Sequence, residues 1–274
     1  MSLAPLDFDY LRTLVKKHTA IIIDSGKEYL AETRLAPLVS EHGCASLQEF
    51  LGRLRREKFN GLHRKVLDAM TNNETWFFRD AHPFTALTGV VMPELMKRRA
   101  AQREISIWSA ACSSGQEPYS IAMALRESCD VAAWKFSIVA TDFSNTVLQR
   151  ARTGVFRQME MNRGLPARLL TRYFVQQGLQ WELKPEVRNM VSFRFLNLAE
   201  PWGVAAPRSD IVFLRNVLIY FDVATRKEIL GRIRRVLAPD GFLFLGCAET
   251  TLNLDSEFER VQAGSYTCYR VKER

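Results

Sequence analysis

At 274 residues, with 47% hydrophobic and 25% charged residues, the chain has the make-up of an ordinary globular protein of two domains or one large one. It holds no apolar run of about 18 residues and no basic-then-apolar N-terminal pattern, so the reading is a cytoplasmic protein with no membrane insertion. The net charge of +8 fits simply a basic soluble enzyme, or, more sharply, one with an acidic partner, either nucleic acid or an acidic protein surface. The cysteines at 44, 112, 129, 247 and 268 form no Cys-x-x-Cys pair. That favours reduced thiols over a disulfide framework or a metal site.

In chain order, residues 1–75 read as a small all-α domain. Tyr10, Leu11, Leu14 and Val15 mark a first apolar stripe, and Tyr29, Leu30, Leu35 and Leu38 a second. Ser46-Leu-Gln-Glu49 is a capping box that opens a third helix, with Leu47, Phe50, Leu51 and Leu54 facing inward. Leu62, Val66, Leu67 and Met70 mark a fourth. Residues 76–103 read as a linker and a helix over about 82–100. From 104 to 274, strands and helices alternate: strand 104–109, helix 116–128, strand 135–141, helix 144–153, strands 191–197 and 210–215, helix 223–237 and strand 241–246. A closing hairpin pairs 258–262 with 266–271. This is the pattern of an α/β doubly wound, mostly parallel sheet with a terminal antiparallel strand. Residues 155–190 interrupt the alternation.

The stretch Ser106-Ile-Trp-Ser-Ala-Ala-Cys-Ser-Ser-Gly-Gln-Glu-Pro-Tyr-Ser120 runs from a strand through a small-residue turn into a helix. Such a corner lets backbone approach a ligand, and Gly115 supplies the freedom to turn. The next strand ends in Asp142, where an α/β nucleotide site grips a ribose diol. The same acid would also serve a following helix N-terminus. The turn has one glycine where the dinucleotide fingerprint has three.

Four motifs occur in order: Thr71-Asn-Asn-Glu-Thr-Trp-Phe-Phe-Arg-Asp80, Ala110-Ala-Cys-Ser-Ser-Gly-Gln-Glu-Pro-Tyr-Ser120, Ala140-Thr-Asp-Phe-Ser144 and Leu214-Arg-Asn-Val-Leu-Ile-Tyr-Phe-Asp222. Together they resemble the chemotaxis receptor methyltransferases, the CheR family, from about residue 7 to 271. The resemblance implies an S-adenosylmethionine methyltransferase sheet with a small antiparallel β-subdomain inserted at about 155–190. It implies a protein-glutamate O-methyltransferase that modifies bacterial chemoreceptors during adaptation and leaves S-adenosylhomocysteine, without a metal.

The resemblance also implies residue roles. Asp142 would bind the ribose hydroxyls, and Glu117 would face the methionine ammonium. Asn73 and Thr75 would hydrogen-bond the cofactor, and Asn197 and Leu198 would lie by the adenine. Arg215 and Asn216 would line the pocket. Arg79 and Tyr220 would stand at the methyl-transfer centre, with Arg79 also touching the cofactor. Several of these have simpler readings. Glu117 suits any first helical turn, a strand-end asparagine suits a turn, and Tyr220 could be a half-buried tyrosine. Trp76, Phe77 and Phe78 read as packing.

On the third helix, Arg53 and Arg56 project away from the apolar face and are candidates for contact with a receptor's cytoplasmic helical bundle; a solvated charged face is the simpler reading. Phe174-Val-Gln-Gln-Gly-Leu-Gln-Trp-Glu-Leu183 is compact, with only Gly178, unlike the glycine-rich loop of relatives that dock on a receptor tail. The expectation is a monomer that acts without a tail tether and is recruited to membrane-bound receptor arrays. Two alternatives stand beside it. A nucleic-acid methyltransferase fits the charge, but Arg215-Asn-Val-Leu218 replaces the Asn/Asp-Pro-Pro-aromatic motif of amino-methylating enzymes. A cofactor-binding scaffold without activity would have no need of both Arg79 and Tyr220.

Overall fold

The computed structural model describes residues 3–272. The chain forms two compact units: one runs up to Asn72 and includes Tyr220–Thr225, and the other comprises Asn73–Ile219 and the chain from Arg226 onward.

The first unit is built on α1 (Pro5–Thr19), α2 (Glu28–Glu41), α3 (Leu47–Arg56) and α4 (Gly61–Met70). Pro5 begins α1, where its missing N–H costs nothing. Ser46 Oγ caps α3 by accepting the Glu49 N–H at 3.1 Å, while Glu49 reaches back one residue further than a standard capping box, to the Ala45 N–H at 2.8 Å. The core joins Phe8, Leu11 and Val15 to Leu35, Phe50, Leu51, Leu54, Val66 and Leu67. Tyr29 is not part of it: it is 59% exposed, and the buried face of α2 runs through Ala31 and Leu35.

The second unit starts with α5 (His82–Ala86), a π-helical turn over Leu87–Val91, and α6 (Met92–Arg98). Sequence periodicity predicts one helix here. Pro93 explains the interruption, because it has no N–H to return to Gly89. The ladder widens instead, and the Met92 N–H bonds the Leu87 carbonyl five residues back.

The α/β body follows: β1 (Glu104–Ala110), α7 (Gln116–Ser128), β2 (Lys135–Asp142) and α8 (Asn145–Thr153). Next come β3 (Val155–Arg157), α9 (Gln158–Met161), α10 (Ala167–Tyr173), β4 (Phe174–Gln177), β5 (Gln180–Leu183) and α11 (Pro185–Arg188). The chain then returns through β6 (Val191–Phe195), β7 (Ser209–Leu214), α12 (Val223–Val236), β8 (Leu237–Leu245), β9 (Phe258–Ala263) and β10 (Tyr266–Val271).

The main sheet has the order β6-β2-β1-β7-β8-β10-β9. β6 through β8 run parallel, and β10 slots antiparallel between β8 and β9. β7 lies in mid-sheet and every residue of it is buried, which suits its unbroken apolar run Ile211-Val-Phe-Leu214. β3, β5 and β4 form a separate antiparallel sheet, so the interruption at 155–190 is the expected small β-subdomain. The chain works outward from β1 to β6 on one side and resumes with β7 on the other. The switch point therefore lies between β1 and β7, and in open α/β sheets ligands bind outside the carboxyl ends of the strands at such a point.

Candidate functional site

Every cofactor residue nominated from the sequence lies in the second unit. The corner after β1 is closed by backbone. Ala111 (φ 56°) and Ser113 (φ 50°) lie in the left-handed region, and Gly115 follows at φ 94°. The φ at Gly115 favours glycine, and an added Cβ would also stand tightly, 3.1 Å from the Ala151 and Tyr119 side chains.

Asp142, at the end of β2, faces this corner and is buried. Its Oδ2 accepts the Ser113 N–H at 2.8 Å and its Oδ1 the Ser144 N–H at 2.9 Å. Ser113 in turn donates its hydroxyl to the Asn73 carbonyl at 2.7 Å. Asn73, the β1 corner and Asp142 are thus one connected group. Thr75 is half-buried in the segment that follows.

A second group is organised by Arg215, just past β7, whose side chain is 1% exposed. Its Nη1 donates to Glu117 Oε2 at 3.0 Å. Its Nη2 donates to Asp80 Oδ2 at 2.7 Å and to the Arg79 carbonyl at 2.9 Å. Glu117 Oε1 accepts the Ser109 hydroxyl at 2.8 Å. Burial pushes the Glu117 carboxyl above its ordinary value, although the Arg215 guanidinium beside it works the other way.

Arg79 is half-buried, and its guanidinium lies 4.1 Å from the centre of the Trp76 ring. Its Nη1 donates to the Glu74 carbonyl at 3.3 Å, and its buried Nε finds no hydrogen-bond partner among the described residues. Backbone strain gathers beside it: Phe78 (φ 49°), Asp80 (φ 68°) and Ala81 (φ 46°) all lie in the left-handed region. Non-glycine residues hold such conformations only where the surroundings over-determine them. Here the Phe78 N–H is taken by Ser120 Oγ at 2.9 Å and the Asp80 side chain by Arg215.

Other nominated residues sit differently. Asn197 Oδ1 accepts the Ala199 N–H at 3.0 Å, closing the turn that its position after β6 suggested. The Leu198 carbonyl is held by Trp202 Nε1 at 3.2 Å and Arg232 Nη1 at 3.0 Å. Asn216 adopts φ 58°, and its N–H goes to Glu249 at 2.7 Å. Tyr220 belongs to the first unit, where its carbonyl accepts the Ile22 N–H at 2.9 Å and its hydroxyl an Asn72 side-chain N–H at 2.6 Å. On α3, Arg53 and Arg56 are exposed. Arg53 pairs with Glu57 at 3.1 Å, and neighbouring Arg55 ties α3 to α1 through Asp7 at 2.9 Å.

The donor set suits a ligand that carries both charges. Glu117 and Asp142 offer carboxylates to an ammonium and a diol, and the unpartnered Arg79 Nε offers a donor to a carboxylate. Among the described residues no group of three or more His, Cys, Asp or Glu side chains could hold a metal, and no helix is long and apolar enough to cross a membrane.

Residues 73–267 match the CheR methyltransferase SAM-binding domain, and residues 6–71 match the CheR methyltransferase all-α domain. The chain belongs to the CheR family. It is a methyltransferase of the chemotaxis system with a domain for binding S-adenosylmethionine. It is 43% identical to chemotaxis protein methyltransferase 1 of Pseudomonas aeruginosa over 99% of this chain and 100% of that one. It is 41% identical to chemotaxis protein methyltransferase Cher2 of Pseudomonas putida with the same coverage. Against the Escherichia coli chemotaxis protein methyltransferase it is 34% identical, over 94% of this chain and 89% of the relative.

Four residues that build the site of this CheR-family chain were not among those nominated from its sequence. Asp80 and Glu249 read as loop acids. Arg163, whose guanidinium lies 3.9 Å from the Trp76 ring centre and 2.8 Å from Glu74, reads as a surface charge. Gly164 (φ 80°) packs so closely that an added Cβ would stand 2.0 Å from the Phe77 carbonyl. Asp80 closes the first of the four motifs, and Gly164 carries a local sign as a glycine within the interrupted stretch at 155–190.

Proposed function

We propose that this chain methylates glutamate side-chain carboxylates on the cytoplasmic helical bundles of chemoreceptors, giving methyl esters and S-adenosylhomocysteine, as part of chemotactic adaptation. The observation that carries this reading is the grouping of Arg79, Glu117 and Arg215 at the carboxyl ends of β1 and β7 in a chain whose two domains both match the CheR family.

S-Adenosylmethionine, when bound, supplies an electrophilic methyl group on a sulfonium. Asp142 holds the ribose hydroxyls, with its carboxylate oriented by the Ser113 and Ser144 N–H groups. Glu117 faces the ammonium end, and Asn73, Thr75 and Asn216 complete the polar lining. Asn197 and Leu198 lie by the adenine. Arg215 does not reach for ligand with its whole fork, since three of its hydrogen bonds already go to Glu117, Asp80 and the Arg79 carbonyl; it fixes the wall against which the others work.

Arg79 binds a carboxylate, and Trp76 stacked on its guanidinium restrains where that charge can sit. The acceptor glutamate has an ordinary pKa of about 4.3 and is ionised at neutral pH, so no general base is required. Charge is lost as carboxylate and sulfonium meet, and water would stabilise the separated ions. Rate therefore comes from alignment and from keeping water out. Phe77, fully buried against Phe156 and Phe174, anchors the Trp76–Arg79 segment to the β-subdomain. Tyr220 acts at the transferred methyl.

The helical unit meets the receptor through Arg53 and Arg56, whose charge suits an acidic helical surface. The compact β4–β5 turn supports an enzyme that works without a receptor-tail tether; it acts as a monomer, does not bind nucleic acid, and is recruited from the cytoplasm to receptor arrays. The test is transfer of radiolabelled methyl from S-adenosylmethionine to purified chemoreceptor cytoplasmic domains. The expected result is label that alkali releases as methanol and that Arg79→Ala abolishes. Label stable to alkali, or label on nucleic acid instead, overturns the reading.

A further inference from the structure

We infer that Glu249 is a positioning residue whose carboxylate fills an anion nest made by the backbone of Asn216, Val217 and Leu218, and so fixes the loop that carries Arg215 and Asn216. This rests on the reading above that Arg215 and Asn216 belong to the cofactor-binding end of the sheet.

Glu249 is 9% exposed. Its Oε1 accepts the Val217 N–H at 2.9 Å and the Leu218 N–H at 2.7 Å. Its Oε2 accepts the Asn216 N–H and the Gly246 N–H, both at 2.7 Å. The left-handed φ of 58° at Asn216 is what turns three successive N–H groups toward one point. Such a concavity binds anions, and here the chain supplies its own. The Glu249 N–H returns to the Gly246 carbonyl at 2.9 Å and closes the turn after β8, while the carboxylate ties that turn to the one after β7. Gly246 cannot be enlarged: an added Cβ would stand 2.7 Å from Asn216 Nδ2, 2.7 Å from Glu249 Oε2 and 2.9 Å from the Asn216 N. A buried carboxylate that takes four backbone donors is a costly feature to keep unless the loop it organises must be held in a conformation it would not adopt alone.

Glutamine at 249 would keep the shape but put an NH2 group against at least one pair of N–H donors. Alanine would leave the donors buried and unpaired. The experiment compares the full-length wild type with Glu249→Gln and Glu249→Ala by hydrogen exchange of the 214–218 backbone and by calorimetry with S-adenosylhomocysteine. Both variants are expected to exchange faster at Asn216–Leu218 while β1 and β2 keep wild-type protection, and to bind at least about tenfold more weakly. Acetate, the small carboxylate missing from Glu249→Ala, is expected to restore protection and affinity in that variant and not in Glu249→Gln, whose amide still occupies the space. Unchanged exchange and affinity in Glu249→Gln, or no response of Glu249→Ala to acetate, overturns the inference. If Glu249→Ala loses its near-ultraviolet circular dichroism, the milder Glu249→Gln decides on the same two readouts. Failure of the wild type itself to bind S-adenosylhomocysteine would count against the proposed function and leave the exchange comparison standing.

Discussion

Arg215 and Glu117 form a buried ion pair at 3.0 Å between residues 98 positions apart, and the same guanidinium holds the strained backbone at Arg79 and Asp80. Two carboxylates and a carbonyl converge on one planar fork. A lysine cannot satisfy all three in that geometry. Arg215→Lys is expected to lower folding stability by about 3 kcal/mol, measured by urea denaturation, because it leaves buried acceptors unpaired. Arg215→Met alone would orphan the buried Glu117 carboxylate, and adding Glu117→Gln should recover part of that single variant's loss, since removing both partners of the pair is less costly than orphaning one.

Glu117 also sets a pH dependence. Its carboxyl titrates above the ordinary glutamate value because it is buried, with Arg215 opposing the shift. On acidification it loses its charge before an exposed glutamate would. Affinity for S-adenosylhomocysteine is expected to fall as pH drops through that raised value, approaching about tenfold per unit below it. Stability moves the opposite way for this group. An acid whose folded pKa is raised favours folding most below its unfolded pKa, and that contribution is lost as pH rises through the folded value. Calorimetric titrations from pH 7 downward should show the affinity loss in the wild type and a flatter profile in Glu117→Gln.

At the opposite, amino end of the sheet, Arg99 bridges Asp210 at 2.8 Å and Asp240 at 2.6 Å, tying α6 to the starts of β7 and β8. The hydrogen bond from Arg99 holds the Asp240 carboxyl below the ordinary aspartate range. Such a group stabilises the fold above its unfolded pKa of about 3.9, and the contribution disappears as pH falls through the lowered folded value. Asp240→Asn is therefore expected to reduce stability at pH 7 and to narrow the difference in urea midpoint between pH 7 and pH 3.

Gly164 supports the Trp76–Arg79 segment from the other side. Its φ of 80° and the 2.0 Å approach of an added methyl group to the Phe77 carbonyl leave alanine no place to go. Gly164→Ala is expected to cost ~2 kcal/mol or more in stability, and to weaken methyl transfer further by moving Arg79. Thermal unfolding alongside single-turnover rates separates the two effects.

What could be read beforehand follows from how local each feature is. The corner from β1 through Gly115 to α7, and Asp142 at the tip of β2, are strand–turn–helix grammar written in adjacent residues. The closing hairpin declared itself as two alternating segments around a turn, whereas the β-subdomain was expected only from the resemblance to the CheR family. The break in the 82–100 helix was visible in principle, because Pro93 denies Gly89 a partner. The wiring of the site was not. Arg215 reaches Asp80 across 135 positions, and Glu249 serves amides 31 to 33 residues away. No periodicity or short motif records which distant acid a buried arginine will meet. The left-handed backbone at Phe78, Asp80 and Ala81 was equally hidden, since none of the three is glycine or asparagine.

The placement of β10 has a consequence for biosynthesis. β8 is finished at Leu245, yet its neighbour on that side is the segment from Tyr266 onward, which is made after β9. While the chain is still being extended, the central strands can pair but β8 presents a row of unsatisfied N–H and C=O groups. Chains cut short before Tyr266 would keep that open edge and are expected to self-associate, so the last strand acts as a seal whose arrival marks the point at which a nascent molecule becomes safe from its neighbours.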